Sequence, residues 1–262
     1  MRERLARVAG QVSTVAAARE GAVSDHTAVA LEAVMAVLQA DYGTIAAFSA
    51  GPSALPQDDR LASMGHVFGL DEVARDLLAV GVAPELDANF GSVFDLLTGR
   101  TGVGRPTVGL ALELCGVPSA HADVAKLLGS SGPLLRNRLL EVVGDASWLI
   151  RSVRVPDRVR AHLCGNEAAD VEVAAVSVDT VPFECPAASQ IARVVASGEP
   201  LVWVHSKVGT AGIATAVAGL AEAGLGALVV DVRMAPAATN QADLLTACAR
   251  EAGMHGAATL NG

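Results

Sequence analysis

Residues 139–155 read LLEVVGDASWLIRSVRV, and this stretch predicts a β-hairpin. Two runs rich in branched aliphatic residues, Leu139–Val143 and Trp148–Val155, lie on either side of the dipeptide Gly144-Asp145. β-branched side chains favour the extended backbone of a strand, whereas glycine readily adopts the positive φ values that tight turns require. We therefore expect two antiparallel strands that are joined by a short turn.

Short helices are predicted on both sides of this hairpin. Apolar residues recur at helical spacing in three stripes before it, namely Leu70/Val73/Leu77, Phe90/Val93/Phe94/Leu97 and Val108/Ala111/Leu112/Cys115. Further short helices are expected at 122–128 and directly after Pro156. Several small helices followed by a hairpin are typical of a winged helix, so we predict a winged-helix domain at 59–166.

Two other regions flank that predicted domain. Residues 1–58 are predicted to be helical and to end in a linker at 50–58, which is rich in proline and small residues. Residues 167–190 carry five acidic side chains and no basic ones, and they include Pro182 and Pro186. This composition predicts an acidic linker between two domains.

The last region, 191–262, alternates between helical and strand patterns. The elements expected after its first helix are a strand at 201–204, a helix at 213–223, a strand at 227–232, a helix at 241–252 and a strand from Ala257. Such alternation is typical of a parallel sheet that is covered by helices. The predicted fold class is therefore α/β overall, in an α+β multidomain arrangement that ends in a partial module like that of phosphate-loop proteins.

The loop before the helix at 213–223 matches a nucleotide-binding loop only in outline. A working loop reads G-x-x-x-x-G-K-[ST]: backbone N–H groups surround the phosphates, the lysine neutralises charge and the hydroxyl binds Mg²⁺. Ser206 and Ala211 stand at the glycine positions here, and Gly212 and Ile213 replace the lysine and the hydroxyl. We predict a vestigial loop, whose remaining contacts would come from His205, Ser206, Lys207, Gly209, Thr210 and Gly212.

Several ordered motifs together resemble a group of bacterial AAA+ ATPases that carry an N-terminal winged helix. The motifs are Phe68–Asp71, Ala83–Asp87, Arg105–Val108, Leu139–Asp145 and Val155–Val159, followed by Leu228–Asp231 and Gly256–Leu260 in the AAA sheet. Many members of that group occur with contractile injection systems, the phage-tail-like machines, and their first AAA module is often degenerate. The resemblance implies that this chain serves protein recognition and assembly, with ATP and Mg²⁺ relevant only in the full-length context.

The resemblance also implies that this chain does not hydrolyse ATP by itself. When its last strand is aligned with that group, Asn261 and Gly262 stand where the Mg²⁺-binding aspartate and the catalytic glutamate are found. Asparagine does not supply the negative charge that holds Mg²⁺. The sensor and arginine-finger regions of the group would lie beyond Gly262. We therefore predict no catalytic residue, no metal and no cofactor for this chain.

The charge pattern disfavours nucleic acid as a partner. The net charge is −9, and ten Lys/Arg stand against eleven Asp/Glu between Leu61 and Asn166. The candidate recognition helix, Thr107–Cys115, has no Arg, Lys, Asn or Gln to contact bases, and it contains the acid Glu113. A modest basic cluster is predicted to be a protein-docking face, and it consists of Arg136, Arg138, Arg151, Arg154, Arg158 and Arg160.

The predicted partners are proteins in the cytoplasm, either further copies of this chain or components of an injection apparatus. No signal peptide or membrane span is predicted, and four dispersed cysteines are expected to be reduced and mostly buried. Two alternatives stay open. The first is a winged helix that binds nucleic acid. The second is a nucleotide- or dinucleotide-binding enzyme, because Gly209-x-x-Gly212-x-Ala214 is followed by Asp231, nineteen residues after Gly212.

Overall fold

The contacts within the chain divide it into two units, Met1–Asn166 and Glu167–Gly262. The computed structural model describes residues 1–19, 25–43, 60–198, 201–207 and 210–261. The linker predicted at 50–58 lies outside these residues. The described part is mostly helical and carries a small sheet in each unit. None of its helices combines the length and the apolar character that crossing a membrane requires.

The helices of the first unit follow the apolar stripes of the sequence. Their bounds are α1 Arg2–Ala18, α2 Asp25–Leu38, α3 Arg60–Val67, α4 Glu72–Leu86, α5 Ala88–Thr98, α6 Val108–Leu114, α7 Asp123–Leu128, α8 Pro133–Arg136 and α9 Asp157–Leu163. Phe90 and Phe94 of α5 are fully buried, as their spacing predicts. The carboxylate of Asp71 caps α4 by accepting a hydrogen bond from the Ala74 N–H at 2.8 Å.

The predicted hairpin is confirmed, but its strands are shorter than expected. Strand β1 (Glu141–Val143) pairs antiparallel with β2 (Ser152–Arg154). The strand expected from residue 148 is wrong in its first half, because Trp148–Ile150 forms a 3₁₀ turn. The Nε of Arg151 donates to the Ala146 carbonyl at 2.8 Å, and this bond closes the loop between the strands into a compact wing. The wing, residues 144–151, therefore replaces part of the expected strand.

A third chain segment joins this sheet directly before α6. Thr107 forms an antiparallel bridge with Ser152, and the N–H of Val108 donates to the Arg151 carbonyl at 2.9 Å. From this bridge the chain passes through α6, α7 and α8 before it returns as β1. The order of a bridge, helices and a hairpin is that of the predicted winged helix.

The N-terminal helices share the core of the first unit. Leu5, Val8 and Val12 of α1 are almost completely buried in the same apolar cluster as Leu77 of α4 and Leu112 of α6. Helix α2 contributes to the same cluster. The sequence patterns suggested a separate helical region before residue 59, whereas α1 and α2 pack as part of the first unit.

The second unit contains the predicted alternation of helix and strand from residue 212 onward. Its elements are α10 Val171–Ala174, α11 Pro186–Ala196, α12 Gly212–Glu222, β3 Gly226–Val230, a 3₁₀ turn Val232–Met234, α13 Gln241–Met254 and β4 Ala257–Asn261. Strands β3 and β4 pair in parallel, with Gly226 opposite Ala257. A parallel pair needs a long crossover connection, and α13 supplies it.

The strand predicted at 201–204 is wrong. This stretch has no regular secondary structure, and its Trp203 is 86% exposed. A buried strand needs a neighbouring strand for its backbone N–H and C=O groups. One edge of β3 is already occupied, because the Val178 N–H donates to the Val229 carbonyl at 2.9 Å. The apolar run at 201–204 predicted a buried strand, but in the structure it is an irregular and largely exposed segment.

The acidic stretch 167–190 does more than connect two domains. Val173 and Val176 are buried in the core cluster of the second unit. Asp170 lies 3.0 Å from the guanidinium of Arg250, which is 5% exposed. The first part of the predicted linker is thus built into the second unit.

The position of α1 in the core leads to a stability prediction. We expect Leu5→Ala to lower the free energy of unfolding of the first unit by about 2–5 kcal/mol, because it removes a buried side chain and leaves a cavity. Glu3→Ala, on the exposed side of α1, is the matched control and should change the stability by less than about 0.5 kcal/mol. Urea unfolding followed by circular dichroism measures both variants. Equal stability of the two variants would show that α1 does not belong to this core.

Candidate functional site

In the first unit, the recognition position of the predicted winged helix lies in the segment α7–α8. A helix–turn–helix inserts its second helix into the major groove. Helix α6 is the first helix after the Thr107 bridge, and α7 and α8 follow it. The candidate recognition helix Thr107–Cys115 is therefore wrong, because this stretch forms the first helix of the pair.

Neighbouring elements cover α6 on several sides. Val108 and Leu112 are completely buried, and Leu110 is nearly so. The wing lies so close that a Cβ atom added to Gly109 would be 3.2 Å from the Leu149 carbonyl oxygen. The exposed acid of α6, Glu113, forms an ion pair with Arg19, which caps the C-terminal end of α1. Helix α6 therefore presents no face that fits a DNA groove.

The helix at the recognition position is broken in two. Helix α7 has six residues and α8 has four, so they are about 9 Å and 6 Å long at about 1.5 Å per residue. Gly129 and Gly132 lie at the break, where added Cβ atoms would come within 2.1 Å and 2.4 Å of backbone carbonyl oxygens of Ala125 and Lys126. Only glycine fits at these two positions. The two glycines therefore interrupt the helix at the recognition position, where a DNA-binding winged helix has a continuous one.

Charges on α7 largely compensate each other. The Nζ of Lys126 lies 2.7 Å from a carboxylate oxygen of Asp123, and Nδ1 of His121 lies 3.1 Å from the other. The hydrogen bond from Lys126 lowers the pKa of the Asp123 carboxyl group, and it raises the pKa of Lys126. The lysine thus stays charged, but its charge is directed at its own helix.

The six arginines predicted as a docking face differ in burial and in their partners. Arg158 is buried, and its guanidinium donates to the Asn166 carbonyl at 3.1 Å. Arg154 pairs at 3.0 Å with Glu141, which lies opposite it in the sheet.

The other four arginines differ in their surroundings. Arg151 closes the wing through the Ala146 carbonyl, and Arg138 has a positive φ of 49°. Arg136 is exposed and Arg160 is half-buried, and no carboxylate pairs with either one within the described ranges. Arg151, Arg154 and Arg158 are therefore engaged within the fold, and Arg136 is the member best placed for contact with another molecule.

A cleft beside the wing is a site that the sequence patterns do not indicate. Its volume is about 690 Å³, and it lies between α6, the wing and the ends of α1 and α5. Leu149 and Ile150 of the wing are 40% and 55% exposed at its border. Arg100 and Arg19 supply positive charge, and Glu113 supplies negative charge. The apolar pair Leu149-Ile150 could have indicated this cleft, but the sequence analysis assigned both residues to a predicted strand.

In the second unit, the predicted vestigial loop is irregular and exposed. His205, Ser206 and Lys207 are exposed, and Gly209 lies outside the described residues. The hydroxyl of Thr210 donates to the Lys207 carbonyl at 2.7 Å, so that this hydroxyl is engaged within the loop. A Cβ atom added to Gly212 would lie 2.3 Å from the Ser206 Oγ. The structure thus brings Ser206 and Gly212, at the first and seventh positions of the motif, close together at the beginning of α12.

Asp231 follows β3 at the carboxyl end of the parallel pair, where the dinucleotide alternative would use it to bind a ribose. Its two carboxylate oxygens accept hydrogen bonds from Nε and Nη2 of Arg233, both at 2.8 Å. These bonds lower the pKa of the carboxyl group. The carboxylate is therefore engaged by its own neighbour, at the border of a cleft of about 580 Å³ that Ser206, Lys207 and Thr210 also line.

The four cysteines are free thiols, but fewer are buried than the sequence suggests. Cys248 is buried and Cys164 is exposed, while Cys115 and Cys185 are intermediate. Desolvation raises the pKa of Cys115 to about 12. Hydrogen bonds from backbone N–H groups at the beginning of α11 lower the pKa of Cys185.

A comparison with protein families identifies the fold of the first unit. The family model described as "Winged helix domain, variant" matches residues 3–177, which is more than half of the 262-residue chain. The chain belongs to this family. No curated protein and no solved structure matches it significantly. The match begins within α1, which agrees with the packing of that helix in the same core.

Membership of this winged-helix family gives a general role only. Winged-helix domains bind either nucleic acid or protein. In this chain, three features bear on the choice between nucleic acid and protein as the partner: the covered α6, the break at Gly129–Gly132 and the cleft beside the wing. The family match neither includes the loop at 205–212 nor bears on ATP hydrolysis.

The different surroundings of the arginines lead to a second prediction. We expect Arg158→Glu to destabilise the winged helix by about 3 kcal/mol or more, because it places an acid where a buried guanidinium binds a carbonyl. Arg136→Glu should change stability by less than about 0.5 kcal/mol, since Arg136 is exposed. Thermal unfolding of both variants is the measurement. If the Arg158→Glu variant is as stable as the natural chain, Arg158 is not buried in the folded protein.

Proposed function

We propose that this chain recognises protein through its winged helix and that it is a non-catalytic segment of an AAA+ ATPase. Protein recognition is supported by the condition of the two helices that a winged helix uses to bind DNA. Helix α6 is covered, and the helix at the recognition position is broken at Gly129–Gly132. DNA readout needs a continuous helix with polar side chains in the major groove. The apolar cleft beside the wing suits a protein instead.

The second part of the proposal rests on the second unit and on sequence resemblance. Strand β3, helix α13 and strand β4 form a parallel crossover. Leu228–Asp231 and Gly256–Leu260 resemble strands of the AAA sheet. The loop before α12 lacks the lysine and the hydroxyl that phosphoryl transfer requires, so this unit would not hydrolyse ATP.

In the proposed context the chain positions a motor on a larger complex. Its partners would be further copies of the chain or components of a contractile injection apparatus, in the cytoplasm. The acidic net charge of −9 supports protein over nucleic acid as the partner. The dinucleotide-binding alternative has less support, because Arg233 occupies both oxygens of Asp231.

DNA binding is the direct test of the first part. We expect the full chain to bind a labelled random-sequence duplex with a Kd of about 10⁻⁴ M or weaker at physiological salt, as for non-specific contacts. Fluorescence anisotropy at two salt concentrations measures this affinity, with Arg136→Glu as the variant that removes an exposed cation. Binding more than about a thousandfold tighter than this, which is outside the range of non-specific contacts, and lost in Arg136→Glu, would favour the nucleic-acid alternative.

The loop offers a test of the second part through restoration. Ser206→Gly, Ala211→Gly, Gly212→Lys and Ile213→Thr together recreate G-x-x-x-x-G-K-T at 206–213. Ser206→Gly belongs in the set for a steric reason, because a side chain at 212 would collide with Ser206. We expect this variant, but not the natural chain, to bind Mg²⁺-ATP measurably in isothermal titration.

The control for restoration keeps every change except the lysine. A variant with Ala at position 212 should not bind, because it lacks the cation that neutralises the phosphates. If the restored variant folds and still does not bind nucleotide, the loop is not a remnant of a phosphate-binding loop. ATP turnover by the natural chain above a mock preparation would contradict its non-catalytic role.

A further inference from the structure

The cleft beside the wing contains a cation that lacks a counterion. Arg100 follows α5, and its Nη1 donates to the Ile150 carbonyl and to the Ser152 hydroxyl, both at 3.2 Å. These two bonds hold the guanidinium against the wing. In the parts of the chain that the structure describes, no carboxylate lies within ion-pair distance of it. The guanidinium is half-buried, and its Nε and Nη2 donors are not used by these two bonds.

The second guanidinium of the cleft is already paired. Arg19 binds the Glu113 carboxylate, and its Nη1 donates to the Leu97 carbonyl at 2.5 Å. The contrast between the two arginines is informative. Arg19 is a structural residue that joins α1 to α5 and α6, whereas Arg100 has donor capacity left for a bound molecule.

Apolar side chains lie directly beside Arg100. Leu149 and Ile150 project from the wing, and Val117 and Pro118 form the opposite border. The same Gly116–Pro118 loop also borders a second cleft of about 610 Å³. The cleft beside the wing, bordered by this loop and by Leu149 and Ile150, is the groove that a short peptide segment would enter.

We propose that this groove binds a peptide segment of a partner protein in which a carboxylate lies next to an aliphatic or aromatic side chain. The carboxylate pairs with Arg100, and the apolar side chain packs on Ile150 and Leu149. This inference rests on the proposed protein-recognition function and names the chemistry of its partner. Charge complementarity carries it, because an arginine fork and a carboxylate make paired, charge-assisted hydrogen bonds.

A phosphate backbone fits this groove poorly. Glu113 is exposed in the cleft but already paired with Arg19, so that Arg100 is the one cation among the lining residues that is left for an anion. The border is apolar, whereas nucleic-acid surfaces combine several cations with aromatic or polar side chains. A single carboxylate on an apolar segment satisfies Arg100.

The test is selection of peptides on the full chain. A phage-displayed library of random dodecapeptides is selected on the natural protein, and enriched peptides are synthesised with a fluorescent label. We expect them to contain Asp or Glu next to a large apolar residue. Arg100→Gln should weaken their binding about tenfold or more, which corresponds to the loss of a charge-assisted hydrogen bond. Ile150→Ser should weaken binding as well.

Matched controls separate this site from general effects. Arg193→Gln removes an exposed cation of the second unit that does not line the cleft, and it should leave peptide affinity unchanged. Replacing the peptide carboxylate by its amide should weaken binding to the natural chain but have little further effect on Arg100→Gln. Thermal unfolding verifies that the variants are folded. If Arg100→Gln does not fold, Ile150→Ser still tests the groove.

The outcomes distinguish this inference from the proposed function. Enriched peptides that bind Arg100→Gln and Ile150→Ser as well as the natural chain overturn the groove but leave protein recognition intact. A library that yields no binder also overturns the groove. Tight binding of a labelled DNA duplex that is lost in Arg100→Gln overturns both the groove and the protein-recognition function.

Discussion

The backbone pairing of Thr107 with the end of the wing is the constraint on which the first unit depends. The Val153 N–H donates to the Pro106 carbonyl at 2.8 Å, and the Val108 N–H donates to the Arg151 carbonyl at 2.9 Å. These bonds place the beginning of α6 against the hairpin. They also fix which helix stands first after the bridge, and hence which segment occupies the recognition position.

The features that bear on function follow from this arrangement. Because α6 lies under the wing and α1, its apolar residues belong to the core rather than to a DNA-binding face. The segment that remains at the recognition position is interrupted by Gly129 and Gly132, which have no room for side chains. The wing keeps Ile150 exposed next to Arg100, and this combination suits an apolar, acidic peptide.

Local patterns predicted the parts of the fold that depend on local periodicity. The spacing of Phe90 and Phe94 identified a buried helix, and the turn at Gly144 identified the hairpin. Non-local packing was out of reach, since nothing in the spacing of Leu5 shows that α1 joins a core built mainly after residue 60. The burial of Arg158 was missed for the same reason, because its partner carbonyl becomes apparent only in the folded chain. The groove at Arg100 was missed because its residues come from separate elements.

We infer that this winged helix binds protein rather than DNA. Hydrogen–deuterium exchange of the full chain at physiological salt, with and without a random-sequence duplex at a concentration well below about 10⁻⁴ M, tests it most directly. We expect exchange in α7, α8 and the wing to be unchanged by the duplex. Protection of residues 121–138 together with 144–151 would contradict it, since those are the surfaces that a DNA-binding winged helix uses.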